Sequence, residues 1–492
     1  MSPKLAAVLC ALFILYLFYT DLKRPDGPSK ALWVPTAWMF LAGSRYVSAW
    51  LNLRPTFESA RDYAEGSPID RAVFIGLIVA GVLILVRRKV DWERVLFGNV
   101  WIVLYLLYCL SSVAWTDEPT ILMKRWIKDL GNPIMALVIL TERRPYEAIG
   151  VVLRRMAFVM LPLSILFIKY YPELGRWYRS DGAQTFTGVG TQKNDLGLIC
   201  LISGIYVAWE SLQRRKETFP TYIQQQKTLA VVLSGMIAWL LYMSNSQTSL
   251  VSLIAAVLLL LLGRSRFIAG RPARIFGLLF CAVMAIWLLD EVLGLKNLAL
   301  SLLGRRPDLT ERTDIWRILQ GFNTNPIVGV GFMSFWTGAR LEEAWKLLGV
   351  QINQAHNGYL EQYLNLGYIG VAFIVVIMLS GLLKVRSRLR VDPAGGMLCL
   401  CFIFVAALYN YTEASFYGMN NMWMLLLLGC LELPRQRQSR AFDSSRVKRP
   451  MVRAGIRYQH WPSPVQAGSG RLPDPPAASG ADARGSSPSE RA

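Results

Sequence analysis

The sequence predicts an all-α fold, a polytopic transmembrane helix bundle of about 12 to 13 helices with one long extracytoplasmic loop and a disordered cytoplasmic tail. Three observations predict it. The chain of 492 residues is 53% hydrophobic and only 17% charged, too apolar and too poor in charge for a soluble protein of its size. Its apolar residues gather in runs able to cross a hydrocarbon layer of about 30 Å at about 1.5 Å per helical residue. Its Lys and Arg, the source of a formal charge of +20, fall in short clusters between these runs and beyond residue 433. That pattern suits cytoplasmic loops and gives no basic face for a nucleic acid.

The runs are 5–20, 31–50, 69–86, 95–115, 130–141, 151–169, 196–209, 228–243, 249–262, 274–290, 359–383, 397–411 and 419–432. The first has no basic segment before it beyond Lys4 and no small-residue cleavage site, so it is expected to stay as a helix. Runs shorter than about 17 residues must borrow polar flanks, lie inside the bundle or be re-entrant. Aromatic residues at run ends, such as Trp33, Trp50, Trp115, Tyr170 and Trp287, read as interface anchors. The seven cysteines lie within or at the edges of apolar segments, with no CxxC pair and no adjacent His. Neither a disulfide framework nor a metal site is expected.

Loop charge orients the bundle, because cytoplasmic connections collect Lys and Arg. Basic connections hold Arg87, Arg88, Lys89 and Arg94, then Arg143, Arg144, Arg154 and Arg155, then Arg214, Arg215 and Lys216, then 264–274 and 384–390. The intervening connections, 51–68, 116–129, 291–357 and 412–418, are balanced or acidic. The loop 291–357 is therefore expected outside and the C-terminus inside. Residues 1–433 form the membrane domain on this reading. Residues 434–492, rich in Arg, Ser, Pro, Gly and Ala, cannot bury enough apolar surface to offset their ordering entropy. They are expected to be a disordered basic tail attracted to anionic lipid headgroups.

Four polar features fall on the outer side of this topology, which was derived without them. Lys193 and Asn194 follow the Gly-rich stretch 187–192 and open a helix. This is either an anion site at a helix N-terminus or a turn with Asn194 or Asp195 as helix cap. Residues 244–249, Ser-Asn-Ser-Gln-Thr-Ser, break two apolar runs and read as a tight hairpin. Arg305, Arg306 and Arg312 have the planar fork that suits phosphate oxygens, while Asp308, Glu311 and Asp314 could pair with them instead. His356 precedes a helix, and the only other His is His460 in the tail. It is either a hydrogen-bonded structural residue or a base suited to near-neutral pH.

In this order the features resemble the O-antigen ligase and polysaccharide polymerase superfamily of bacterial membrane glycosyltransferases. The matching elements are Lys193–Asn194, the Ser-x-Ser-x-Thr hairpin at 244–248, Arg312–Thr313–Asp314–Ile315–Trp316, and 325–332 with its Asn-Pro and paired glycines. To these are added His356–Asn357–x–Tyr359–Leu360 and then Leu366–Gly367–x–x–Gly370. Leu32 to Pro35 with Ser44–Arg45, and Tyr411–Thr412–Glu413 with Asn420–Asn421–x–Trp423, look like the exopolysaccharide polymerase branch. Position 247 is Gln where many members carry Arg or Lys.

The resemblance implies transfer of a glycan from an undecaprenyl-diphosphate carrier to an acceptor hydroxyl, with no metal and no cofactor. It implies a multi-pass protein of the bacterial inner membrane with its site on the periplasmic side, and flippase and chain-length regulator proteins as partners. His356, with Glu413 as the competing base, would activate the acceptor. Lys193 and Arg312 would hold the diphosphate, with Asn194, Arg176, Arg179, Arg305 and Arg306 as further candidates. A ligase acting on lipid A core or protein, or a transporter of lipid-linked sugars, would be the alternatives.

Overall fold

A computed structural model describes residues 1–22, 29–52, 66–178, 182, 184–213, 220–265, 268, 271, 274–279, 281 and 312–432. All belong to one compact unit, Met1–Arg437. The expected tail, most of the run 274–290, the start of the long loop, and Arg179, Arg305 and Arg306 lie outside the described residues.

The fold is all-α and polytopic. Its elements are α1 (Pro3–Leu22), α2 (Trp33–Gly43), α3 (Val47–Trp50), α4 (Pro68–Arg87), α5 (Trp92–Gly98), α6 (Val100–Ser111), α7 (Pro119–Asp129), α8 (Gly131–Leu140), α9 (Pro145–Tyr170) and α10 (Pro172–Gly175). An antiparallel hairpin of β1 (Arg176–Tyr178) and β2 (Gln184–Phe186) follows. Then come α11 (Lys193–Leu212), α12 (Pro220–Ser244), α13 (Gln247–Arg264), α14 (Arg312–Gln320), α15 (Gly338–Leu348), α16 (Gly358–Val391), α17 (Pro393–Tyr409) and α18 (Asn421–Cys430). Among the described residues seven helices are long and apolar enough to span a membrane, or eight if the bent pair α5 and α6 is one span. Apart from 274–290, the expected runs correspond to these helices and to the shorter α2, α8, α17 and α18.

Two runs are not the single helices that their hydropathy suggests. The run 95–115 bends by 77° between α5 and α6 at Asn99. That side chain donates to the Val95 carbonyl (2.7 Å) and accepts from Lys384 Nζ (3.0 Å) and the Glu432 N–H (2.7 Å). A polar side chain that enters the backbone ladder is a recognised cause of a kink. The run 31–50 breaks after Gly43, and buried Arg45 donates from the break to the carbonyls of Leu174 and Gly190.

Short helices need not span if they are wrapped by others. Every residue of α18 is buried, and its last carbonyls are met from α16. Arg388 donates to the Gly429 (2.8 Å) and Leu431 carbonyls, and Lys384 to that of Cys430 (3.0 Å). Cations at a helix C-terminus satisfy its free carbonyls and its dipole. Lys384 and Arg388 are thus turned inward as helix caps, a correction to their expected place in a solvated basic connection.

Arg154 and Arg155 need the same correction. They lie inside α9, 2% and 3% exposed, because the helix starts at Pro145. Both pair with Asp21 of α1, and the Arg155 guanidinium sits 4.2 Å from the centre of the Trp33 ring. Removing one partner of a buried pair strands the other, so Asp21→Ala is expected to destabilise the fold by about 3–5 kcal/mol. Denaturation in detergent would show this, and an unchanged midpoint would contradict it.

Asp129, the last residue of α7, is 1% exposed, with the Gly418 backbone N–H beside it. Burial pushes its carboxyl up to about 7. The unfolded chain releases this proton near pH 4, so between these values the folded state binds more protons and stability falls as pH rises. Three units correspond to about 4 kcal/mol, lost in full above pH 7. Asp129→Asn is therefore expected to melt higher than wild type at pH 8, with the gap closing as pH is lowered towards 4. A gap independent of pH would refute this.

The long loop is not structureless. From residue 312 it carries α14 and α15 over a small separate core of Leu319, Phe335, Leu341, Ala344, Ala355 and Leu364. Here α16 is interrupted at Gly367 (φ +63°), where the segment 326–331 lies along it. Tyr368 N–H donates to the Pro326 carbonyl (2.8 Å) and Gly331 N–H to that of Asn365 (2.8 Å). A Cβ on Gly367 would run into the Ile327 backbone, and one on Gly329 into that of Asn365. Both glycines also have positive φ, so both positions require glycine. The paired glycines and the Leu366–Gly367 pair of the sequence thus serve one another across a single contact.

Candidate functional site

The N-termini of α11, α13, α16 and α18 and the C-termini of α12 and α17 meet at one end of the bundle. Asn357 caps α16, accepting from the N–H groups of Tyr359 and Leu360 at 3.0 Å each. The preceding residue, His356, is forced out of helical geometry and sits at φ +49°, a region that non-glycine residues seldom occupy. Opposite it, Asn410 ends α17. Its carbonyl accepts from Gly358 N–H (2.8 Å) and its side-chain oxygen from Ser415 N–H (2.7 Å). These bonds join the loop before α16 to the loop after α17, which carries Glu413.

Glu413 is the hub. Its Oε1 accepts from Arg312 Nη2 (2.7 Å) and Asn194 Nδ2 (2.8 Å), and its Oε2 lies 3.4 Å from His356 Nδ1. The Glu413 side chain is 5% exposed, while those of Arg312 and His356 are 18% and 19% exposed. A buried carboxylate therefore holds two partners that still reach solvent. Thr248 Oγ1 and Thr412 Oγ1 are 2.8 Å apart, which ties the polar hairpin 244–249 to the same loop.

Of the sequence candidates, Asn194, Arg312, His356 and Glu413 come together. Arg176 does not join them. Its Nε donates to the Ile168 carbonyl (2.9 Å) and its guanidinium lies 5.8 Å from the Phe186 ring centre, so it closes the base of the hairpin. Lys193 lines a cavity of about 1100 Å³ between α11, α12 and α13. Gln184, Thr185, Asn245 and Gln247 make the end of this cavity near Lys193 polar, while Val207, Leu241, Leu253 and Val257 make its body apolar.

The helix start at 193 is built differently from either sequence reading. The cap is Gln192, and Asp195 completes a capping box, so neither Asn194 nor Asp195 is the N-cap. The Gly-rich stretch offers no open cradle of N–H groups to an anion, because each is already in use. Gly188 donates to Gly175, Val189 to Ser164 Oγ, Gly190 to Thr187, and Thr191 and Gln192 to Asp195. Side-chain cations are what this end of the bundle offers an anion.

Sequence reasoning gave no role to Glu361 or Trp316, which hold the His356 loop. Glu361 Oε2 accepts from Ala355 N–H (2.7 Å), and Trp316 Nε1 donates to the Ala355 carbonyl (2.9 Å). The available signal is an acid in the first turn of an apolar span, five residues after His356.

Comparison with family models finds that residues 229–375 match the family described as O-antigen ligase. The match contains Arg312, His356 and Glu361 and leaves out Lys193, Asn194 and Glu413. No curated protein matches the chain.

Proposed function

Through residues 229–375 the chain belongs to the O-antigen ligase and polysaccharide polymerase superfamily, and from that premise we propose that it polymerises undecaprenyl-diphosphate-linked oligosaccharide repeat units on the periplasmic face of a bacterial inner membrane. The observation that carries this reading is the convergence of Arg312, Asn194 and His356 on Glu413, beside a cavity with a cationic, polar end and an apolar body.

In this reaction the acceptor hydroxyl attacks the anomeric carbon of the donor sugar, and the bond from that carbon to the diphosphate oxygen breaks. The hydroxyl proton passes to a base, and the diphosphate leaves with the bonding electrons. With its proton on Nδ1, facing Glu413, His356 keeps a lone pair on Nε2 for the incoming proton. Glu413 already receives Arg312 and Asn194 on one oxygen and faces His356 with the other. It therefore fits the role of orienting group better than that of base. Arg312 and Lys193 would stabilise the charge that gathers on the leaving diphosphate.

The resemblance of Leu32 to Pro35 and of the Glu413 stretch to exopolysaccharide polymerases favours a polymerase over a ligase. A carrier of lipid-linked sugars would need charges along a path through the bundle. The buried arginines of α9, Arg154 and Arg155, are instead closed on Asp21, and neither lines the cavity.

Deleting the gene and measuring surface glycan length tests the proposal. Loss of long polymer, with single repeat units still delivered, is the expected result. Full-length polymer left on its lipid carrier would indicate a ligase, and absence of single units from the outer leaflet a carrier.

A further inference from the structure

Glu361 lies one turn into α16, 1% exposed, and gathers donors from four directions. Trp336 Nε1 comes from the outer-loop core (2.7 Å), Ala355 N–H from the His356 loop (2.7 Å), and Asn365 Nδ2 from the break in α16 (3.1 Å). Tyr417, from the loop after α17, also hydrogen-bonds the carboxylate. One of these bonds fixes the residue before His356, and another fixes the loop that bears Glu413. The Ala355 peptide is held on its other side by Trp316 Nε1. A left-handed His is kept only where its surroundings over-determine it, and this clamp does so.

We infer that Glu361 is a positioning residue which sets the His356–Glu413 pair by holding the two loops in register. The inference rests on the functional reading of His356 given above. Glu361 acts through the two loops and does not itself reach the reacting groups. A carboxylate suits the place because it is an acceptor on both oxygens. A glutamine there has one acceptor oxygen and an NH2 group that would face either the Ala355 N–H or Trp336 Nε1. A buried donor is then left unpaired whichever way the amide turns.

The test uses full-length protein in detergent, with the lipid-linked oligosaccharide that accumulates in the deletion strain as donor. Glu361→Gln is expected to lower kcat by about 10²-fold, the scale of a roughly 1 Å misplacement, with KM for the donor unchanged. Trp316→Phe, which removes only the second hold on Ala355, is expected to act in the same direction with a smaller loss. A readout independent of activity comes from the chain having just two histidines. In a His460→Gln background the imidazole ¹⁵N signal belongs to His356 alone, and Glu361→Gln is expected to shift or broaden it. Wild-type kcat with an unmoved signal would overturn the inference. So would equal losses in kcat and in folded protein with an unmoved signal, since that is what a merely structural role produces. If His356→Ala kept full activity the functional reading would fail, and the signal would still decide whether Glu361 positions the ring.

Discussion

His356→Ala is expected to lower glycan transfer by about 10²–10⁴-fold, the range supplied by a positioned general base, while the protein still inserts and folds. The geometry separates chemistry from folding at this residue. Its ring reaches solvent at 19% exposed, and among the described residues its hydrogen-bond partner through the ring is Glu413 at 3.4 Å, so water can enter the space that losing the ring leaves. The backbone is the more sensitive part, since φ is +49° and a left-handed position disfavours alanine by about 1–2 kcal/mol. His356→Asn is the better control. Asn tolerates this backbone region more readily and cannot act as a base near neutral pH. Both variants should therefore be inactive, with the Asn variant the more stable of the two. An Asn variant that transferred glycan at the wild-type rate would remove His356 from the mechanism.

Arg312 carries the second large effect, and here activity and stability should change together. Arg312→Ala leaves the Glu413 carboxylate, 5% exposed, without its cation, and an uncompensated buried charge costs about 3–5 kcal/mol. On the proposed function it also removes a donor to the leaving diphosphate, an effect on the order of 10²–10³-fold in rate. Two further variants separate these contributions. Arg312→Lys keeps a positive charge beside Glu413 and loses the planar fork, so stability should be mostly retained while transfer still falls. Combining Arg312→Ala with Glu413→Gln removes both charges, so stability should partly recover and activity should not. Recovery of transfer in that double variant would show that Arg312 serves only to neutralise Glu413.

The membrane fold was readable because apolar runs must form helices in a bilayer, where no other local structure satisfies the backbone. Their limits were harder to read where side chains act on distant backbone. Asn99 bends the helix pair through bonds to Lys384 and Glu432. Arg388 caps α18 from α16, and Arg154 is neutralised by Asp21 across 133 positions of sequence. Hydropathy sees a charge and assigns it to water, whereas these charges have partners that only tertiary structure supplies.

The site was legible as a set of residue types and obscure as a set of pairs. Asn194 and Glu413 are 219 positions apart and share a hydrogen bond of 2.8 Å, which no local pattern encodes. For the same reason the sequence offers Glu413 only as a base competing with His356, and the 3.4 Å approach of its Oε2 to His356 Nδ1 has no local signal. Arg176 is only a further candidate for the diphosphate by residue type and place in an outer connection, and its Nε is committed to the Ile168 carbonyl. Glu361 has no such signal, because an acid in the first turn of a helix reads as solvated until its burial and its donors are seen.

The central claim is that the cluster around Glu413 transfers a glycan from a lipid diphosphate. Its most direct test is to incubate purified protein with the lipid-linked oligosaccharide from the deletion strain and to follow freed polyprenyl diphosphate and lengthened glycan together. Wild type is expected to yield both products in step, and His356→Asn and Arg312→Lys at matched amounts to yield far less of each. Lengthened glycan at the wild-type rate from both variants, or no freed diphosphate from the wild type as glycan grows, would contradict the account.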